Sequence, residues 1–360
     1  TKRPITVTAV TDTKIYDGTI NSTKVPTITL GTLAFNDTAN FIETYDTEVI
    51  GTGKTLTPSG TVNDGNSGDN YDVIFDTDTT GIITAKTLTA TITASNKVYD
   101  GGNSATITNV SLNGVVSGDD VNSDFSGATA TFADANAGTG KTVSATGITL
   151  TGTDAGNYSY DGTASGAADI NKLAITITPD ANQTKVYGDT DPVFSYSNSP
   201  SLIGSDTFSG ALSRNTGENV GAYAYTLGDL TAGDNYSLTL TSDTFEITKR
   251  PITVTAVTDT KIYDGDMTAV GVPDITSGSL ASGDTAVFSE TYNNRNVGET
   301  KTLTPAVTSI VDSSSADMTG NYDVTLETAD VGTITAKTVN VTAQTDTKTY
   351  DGTTDSNVSP

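Results

Sequence analysis

Cysteine, histidine and tryptophan are absent from this sequence, and methionine occurs only twice in 360 residues. Without histidine or cysteine there is no Ser-His or Cys-His nucleophile pair, no histidine zinc site and no thiolate cluster. Disulfides cannot staple the chain, so each folded unit is expected to stand on its own apolar core. Basic residues are scarce too, 18 against 43 acidic, for a formal net charge of -25. A nucleic-acid binder shows the opposite balance, and an anionic membrane surface repels such a chain. The acidity reads first as solubility and repulsion between neighbouring molecules. No apolar run approaches the roughly 20 residues of a membrane span, and no signal peptide opens the text. Because the text starts and stops inside a repeat, it is expected to be a fragment, with any signal, secretion domain or anchor outside it. Zero cysteine in so long a chain fits a secreted or cell-surface setting.

What is present is repetition. The string TKRPITVTAVTDTKIYDG at residues 1–18 recurs unchanged at 248–265. Its closing motif, Lys-x-Tyr-Asp-Gly, stands at 14–18, 97–101, 261–265 and 348–352, with the variant KVYGD at 185–189. The tyrosines Tyr16, Tyr99, Tyr187, Tyr263 and Tyr350 are spaced by 83, 88, 76 and 87 residues. An Asn-Tyr landmark follows at Tyr71, Tyr158, Tyr236 and Tyr322, and a third landmark (GIITAK, ADINK, FEITKR, GTITAK) closes each repeat. The expected modules are 1–86, 87–172, 173–249 and 250–337, with 338–360 opening a fifth. Two modules of YDG type followed by one of YGD type form the larger period, as duplication of a block would leave it.

Each module opens with strict alternation: Ile5, Val7 and Ala9 face one way and Thr6 and Thr8 the other, as do Leu88, Ala90 and Ile92, Leu173, Ile175 and Ile177, and Ile252, Val254 and Ala256. Period two with threonine on the wet face is a half-buried strand. No 3.6-residue periodicity is sustained, and 35 glycines supply the turns. The fold class is therefore all-β. Modules of about 85 residues predict small Ig-like β-sandwiches, with Tyr71, Tyr158, Tyr236 and Tyr322 as buried tyrosine corners. A β-grasp module, a sheet crossed by one short helix, is the alternative. In the KxYDG motif the tyrosine ends an opening strand, the aspartate bonds its own backbone and the glycine takes positive φ. This predicts structural roles for Tyr16, Asp17 and Gly18, for Tyr99, Asp100 and Gly101, for Tyr187, Gly188 and Asp189, and for Tyr263, Asp264 and Gly265. Junctions such as FEITKRPITVTA leave about two residues between modules, and Pro251 restricts them further, so modules are expected to stack end to end as a rod.

The KxYDG modules resemble the YDG domains of large bacterial surface adhesins. The third module resembles their companion, the MBG domain of YGX type, through Tyr187-Gly188-Asp189, Asp191-Pro192, SRNTGENVGAY at 213–223 and Asn235-Tyr236. The resemblance covers essentially the whole chain. It implies a secreted, filamentous-haemagglutinin-like adhesin at the bacterial surface, in which these domains form a stalk supporting attachment or biofilm. The expected partners are neighbouring repeats and other copies of the filament, with a host or biofilm ligand met by regions outside this sequence. The alternative gives the modules their own glycan or protein ligand, or lateral assembly into a fibre.

Site chemistry is sparse. Paired carboxylates could in principle run glycoside hydrolysis, but small sandwiches offer no deep cleft, and no enzymatic activity and no cofactor are expected. Calcium is the secondary expectation, on Asp64, Asp69, Asp72, Asp76 and Asp78, since hard oxygen ligands suit that ion. No EF-hand or RTX repeat is present, however, and turn chemistry explains the same letters. Lys14 and Asn70, which recur as types in every module, are weighed as an isopeptide pair against a solvated lysine and a turn asparagine.

Overall fold

Branched side chains alternating with threonine, and glycine turns between them, fold throughout as strands. The computed structural model describes residues 1–360 and contains no α-helix, only two three-residue 3-10 turns at Ala155–Asn157 and Thr319–Asn321. The β-grasp alternative needs a helix across its sheet and is thereby corrected. No helix is long and apolar enough to cross a membrane. The chain divides into two compact units. The first is Thr1–Ile175 with Ser201–Thr207 and Ala232–Ser237; the second is Thr176–Pro200, Phe208–Thr231 and Leu238–Pro360.

In the first unit, seven strands make the opening module: β1 (Arg3–Thr8), β2 (Thr13–Ile15), β3 (Thr27–Leu30), β4 (Thr38–Tyr45), β5 (Gly51–Asn63), β6 (Tyr71–Asp76) and β7 (Asp78–Thr84). One sheet has the order β3-β1-β6 and the other β2-β7-β5-β4. The opening stretch serves both sheets: β1 runs parallel to β6, with Ile5 beside Val73, and β2 runs parallel to β7, with Lys14 beside Ile83. Ile5 and Val7 pack with Phe41, Val62 and Tyr71 between the sheets. The alternation holds at Ile5, Val7 and Ala9, all buried, although Thr6 is covered as well, flanked in register by Leu30 and Ile74.

The second module differs in that seven of its strands join one sheet, in the order Ser104–Ala105, Thr129–Phe132, Gly138–Thr146, Thr163–Asn171, Thr89–Ala94, Ile107–Asn113, with Lys97–Val98 beside Thr163–Asn171, while Asn122–Asp124 pairs with Thr149–Thr151 and Tyr158–Ser159 with Lys86–Thr87. Leu88 and Ile92 are buried there, and Ala90 is half-buried.

In the second unit, Thr176–Pro179 pairs antiparallel with Tyr196–Ser199, and Thr184–Val186, Thr244–Thr248, Gly221–Thr226 and Ser213–Arg214 form a four-stranded sheet. The fourth module repeats the first: Asp274–Ser277, Arg250–Thr255 and Tyr322–Glu327 in one sheet, and Thr260–Ile262, Ala329–Thr335, Gly298–Val311 and Thr285–Tyr292 in the other. Ile252, Val254 and Ala256 are buried as their counterparts are. The residues beyond Thr335 form no strand.

Candidate functional site at the module junctions

The backbone amide of the motif tyrosine donates to the end of its own module's last strand: Tyr16 to Thr84, Tyr99 to Asn171, Tyr187 to Thr248 and Tyr263 to Thr335. That bond places the ring where the chain leaves the module. The ring then enters the next module. Tyr16 packs edge-on against Tyr158, with centroids 5.4 Å apart at 74°. Both hydroxyls donate to one carboxylate oxygen, Asp119 Oδ2, at 2.8 and 2.6 Å. The Val116 N–H donates to the Tyr158 hydroxyl at 2.9 Å. Tyrosine, tyrosine and aspartate thus form a clasp across the junction.

The same clasp recurs twice. Tyr99 and Tyr236 share Asp206 at 3.0 and 2.7 Å, their centroids 5.4 Å apart, with the Ile203 N–H on Tyr236. The loops 201–207 and 232–237, which carry Asp206 and Tyr236, belong to the first unit together with Tyr99. In the second unit, Tyr187 and Tyr322 share Asp284 at 3.0 and 2.6 Å, their centroids 5.6 Å apart, with the Ala281 N–H on Tyr322. Burial, and then the aspartate beside each pair, push the hydroxyls of Tyr16, Tyr158, Tyr187, Tyr236 and Tyr322 above the ordinary tyrosine range.

The asparagine of the Asn-Tyr landmark also reaches backward into the preceding module. Asn157 Oδ1 accepts the Ile50 N–H at 3.2 Å, Asn235 Oδ1 the Ala137 N–H at 2.8 Å, and Asn321 Oδ1 the Val220 N–H at 2.9 Å. Around the first clasp the apolar packing is continuous: Ala9, Tyr16, Tyr45, Leu56 and Ile83 form one cluster with Leu88 and Tyr158. The expectation of a separate core for every module is corrected at this point, because the motif tyrosine closes one core onto the next.

The rest of the motif shapes the loop that carries the tyrosine. The Lys14 ammonium, its side chain 4% exposed, donates to Asp17 at 2.8 Å and to the carbonyls of Thr19 and Asn21, and lies 5.3 Å from the Tyr45 ring centroid. Asp17 in turn accepts the Thr19 N–H. Lys97 with Asp100, and Lys261 with Asp264 and Asp266, repeat the arrangement. In the third module Lys185 pairs with Asp191 and Glu218, both of which also bind Arg214, while Asp189 pairs with Arg250 of the following module. Gly18 has a φ of +74°, and a Cβ there would stand 2.9 Å from Val116 of the next module. At Gly188, φ +84°, it would stand 2.5 Å from the Ala281 Cβ. Glycine is required for the turn and for the close approach.

Two of the motif tyrosines are not covered as Tyr16 is. Tyr263 is 38% exposed and Tyr350 94%, against 4% for Tyr16. Tyr71 is buried and bonds Asp37 at 2.6 Å, with the Ala34 N–H on its hydroxyl, the same partners that Tyr158, Tyr236 and Tyr322 have in their modules. The lysine expected to be solvated is buried instead. Lys14 and Asn70 are not brought together; the Asn70 side chain accepts from Asn66.

Two of the five calcium candidates serve turns, and the others lie apart. Asp64 accepts the N–H groups of Asn66, Gly68 and Asn70, Asp78 accepts from Thr80 and Thr11, and Asp69 faces Lys2. Asp72 and Asp76 stand exposed on β6, and no group of three acidic residues gathers to hold an ion.

The recurring aspartate was missed in the sequence, although a signal exists: LAFND, VVSGD, LIGSD and LASGD each place two apolar residues three and four positions before Asp37, Asp119, Asp206 and Asp284, with small or turn residues between in all but the first, where Phe35 intervenes.

Among known families, the YDG domain matches residues 1–81, 84–167 and 248–330, and the MBG domain (YGX type) matches residues 175–246. No curated protein matches the chain. Among solved structures, the crystal structure of Drosophila N-cadherin EC1-4 is similar at 9% identity, covering 93% of this chain and 100% of that one, with a TM-score of 0.22.

Proposed function

We propose, from the premise that the chain belongs to the YDG domain family, that it is the spacer of an extracellular bacterial adhesin or surface filament, holding a distal binding region away from the cell. The clasp carries this reading. A ligand site need not recur at every boundary, whereas a coupling between neighbours must, and the tyrosine–aspartate–tyrosine arrangement stands at each of the three boundaries between complete modules. The strand arrangement suits tension as well. The chain enters the opening module through β1 and leaves by β7, and β2 runs parallel to β7, so a pull on both ends shears a row of backbone bonds.

Catalysis has little to work with: the clasp tyrosines and their aspartates are committed to one another, and the sequence offers neither histidine nor cysteine. Ligand binding by the modules themselves is the weaker reading. A groove of about 770 Å³ beside Leu88, Ser144 and Ser165 offers Tyr160 as its single aromatic. A glycan array probed with this chain alone separates the two readings. The spacer reading expects no saturable binding, and a saturable glycan whose binding is lost in Tyr160→Ala would replace it.

A further inference from the structure

Beneath the loop that follows the KxYDG turn, the opening module buries two carboxylates, Asp12 and Glu43, at 1% and 2% exposure. Both are satisfied. The Ser22 hydroxyl stands between them, 2.9 Å from Asp12 Oδ2 and 2.8 Å from Glu43 Oε1. Thr23 gives its N–H and its hydroxyl to Asp12, and the Val10 N–H donates to Glu43 Oε2. Every one of these partners belongs to the opening module itself. The second module sets Lys97 over Phe132 as Lys14 is set over Tyr45, and there Ser95 and Ala130 take the places of Asp12 and Glu43. The fold thus does not require the acids.

The fourth module keeps both acids, as Asp259 and Glu290 at 5% and 1% exposure, and loses the hydroxyls that served them. Ala269 stands in the place of Ser22, and Val270 in that of Thr23. The Val257 N–H still donates to Glu290 Oε2 at 3.0 Å, and the Tyr292 hydroxyl to Asp259 Oδ2 at 2.7 Å. Glu290 Oε1, the counterpart of the oxygen that receives Ser22, is buried with no partner. Lys261, its ammonium 5.5 Å from the Tyr292 ring centroid, is bonded to Asp264, Asp266 and the Thr268 carbonyl instead. Burial, and with it the Asp259 charge, pushes the Glu290 carboxyl up. Two neighbouring buried acids without their donors are costly unless a positive charge joins them.

We propose that Asp259 and Glu290 hold a hard divalent cation, calcium or magnesium, in place of the missing hydroxyls. Glu290 Oε1 and the Asp259 carboxylate are its protein ligands, their two charges match the ion's, and water fills the rest of its shell. Gly271, where the opening module has Lys24, keeps the space beside Glu290 Oε1 open, since a Cβ there would stand 2.3 Å from that oxygen. The loop over the pair is exposed, with Val270 at 81%. The opening module, with Ser22 and Thr23 in place, takes no ion between its acids. The stability of the fourth module then follows the divalent-ion concentration. This goes beyond the spacer reading, and its failure would leave the clasps as described.

The test is amide hydrogen exchange of the full, chelator-stripped chain in calcium chloride, in magnesium chloride and in sodium chloride of equal ionic strength. An ion at ten times its dissociation constant slows exchange through local opening about tenfold. Peptides covering Thr285–Tyr292 should show that slowing in calcium or magnesium, and peptides covering Thr38–Tyr45 should not. Ala269→Ser, which returns the hydroxyl, should abolish the slowing. Glu290→Gln, which keeps the acceptor for the Val257 N–H and is checked for folding by circular dichroism, should abolish it too. No slowing with either ion overturns the proposal. So does slowing that survives either substitution, or slowing shared equally by the opening module, which marks general counterion binding by an acidic chain.

Discussion

Replacing Tyr16 and Tyr263 by alanine, one at a time, perturbs two positions with the same eighteen-residue sequence around them and different surroundings in space. Tyr16 is 4% exposed and Tyr263 38%, a difference of about a third of the side chain. For a ring that buries roughly 200 Å² this amounts to about 70 Å², or about 1.7 kcal/mol at ~25 cal/mol per Å². Tyr16 also loses its bond to the Asp119 carboxylate, and a hydrogen bond to a charged group contributes about 1.5–3 kcal/mol. Tyr16→Ala should therefore cost about 3–5 kcal/mol more than Tyr263→Ala. Amide hydrogen exchange of the intact chain, followed by mass spectrometry, reads this locally. At 1.4 kcal/mol per tenfold, peptides covering β7 and residues 149–160 should exchange between about a hundred- and several-thousand-fold faster in Tyr16→Ala. Peptides covering 329–335 should hardly change in Tyr263→Ala. Equal losses from the two substitutions would refute the junction account and return the motif tyrosine to a role inside its own module.

Asn321→Ala removes the acceptor of the Val220 N–H and should cost about 1–2 kcal/mol, while Asn70→Ala, whose side-chain oxygen accepts from the exposed Asn66 amide, should cost less, as differential exchange of the two modules would show. In alkali the clasp tyrosines should act together. Their raised ionisation means that the folded form keeps protons the unfolded chain gives up near pH 10, so this stability is present below that pH and is lost as pH rises above it. Absorbance titration should show phenolates that appear only as the junctions open, and phenolate formation in the folded chain at the ordinary tyrosine pH would count against it. Glu290 Oε1 is buried without a partner where Glu43 receives the Ser22 hydroxyl, because Ala269 stands at the position of Ser22. Ala269→Ser should stabilise the fourth module by about 0.5–1.5 kcal/mol in thermal denaturation. Burial raises the Glu290 carboxyl, so the fourth module should weaken as pH climbs from 4.5, and Ala269→Ser should reduce that trend.

Much of the single module is legible in the sequence. Ile5, Val7 and Ala9 announce a half-buried strand by alternation alone, and the Asn-Tyr landmark announces buried tyrosines at strand starts; their hydroxyls, however, meet the N–H of a residue 33 to 42 positions upstream, not the nearby backbone that a tyrosine corner uses. Alternation reports which face of a strand meets its own sheet partner and says nothing of what lies past the strand's end. For that reason Tyr16 and Asn157 look like turn residues in the sequence, whereas both serve the neighbouring module. Lys14 shows the same limit: a lysine at a strand end is solvated by default, and only the carbonyls of Thr19 and Asn21, gathered by the turn, make its burial favourable. The identity of 1–18 and 248–265 cannot reveal that one tyrosine is covered and the other exposed, because the difference lies in whether a complete module packs onto the ring.

The central claim, that the clasps couple modules into a spacer, is tested most directly by small-angle X-ray scattering of the chain in solution. Strands rising about 3.3 Å per residue make each module roughly 30 Å long, so four modules in line extend over 100 Å, with a radius of gyration of about 35 Å. A compact globule of 360 residues would have a radius of gyration near 21 Å. The account predicts the larger value, with the distance distribution of a rod extending past 100 Å at concentrations where the chain is monomeric. A radius near 21 Å, with modules folded back on one another, would contradict it.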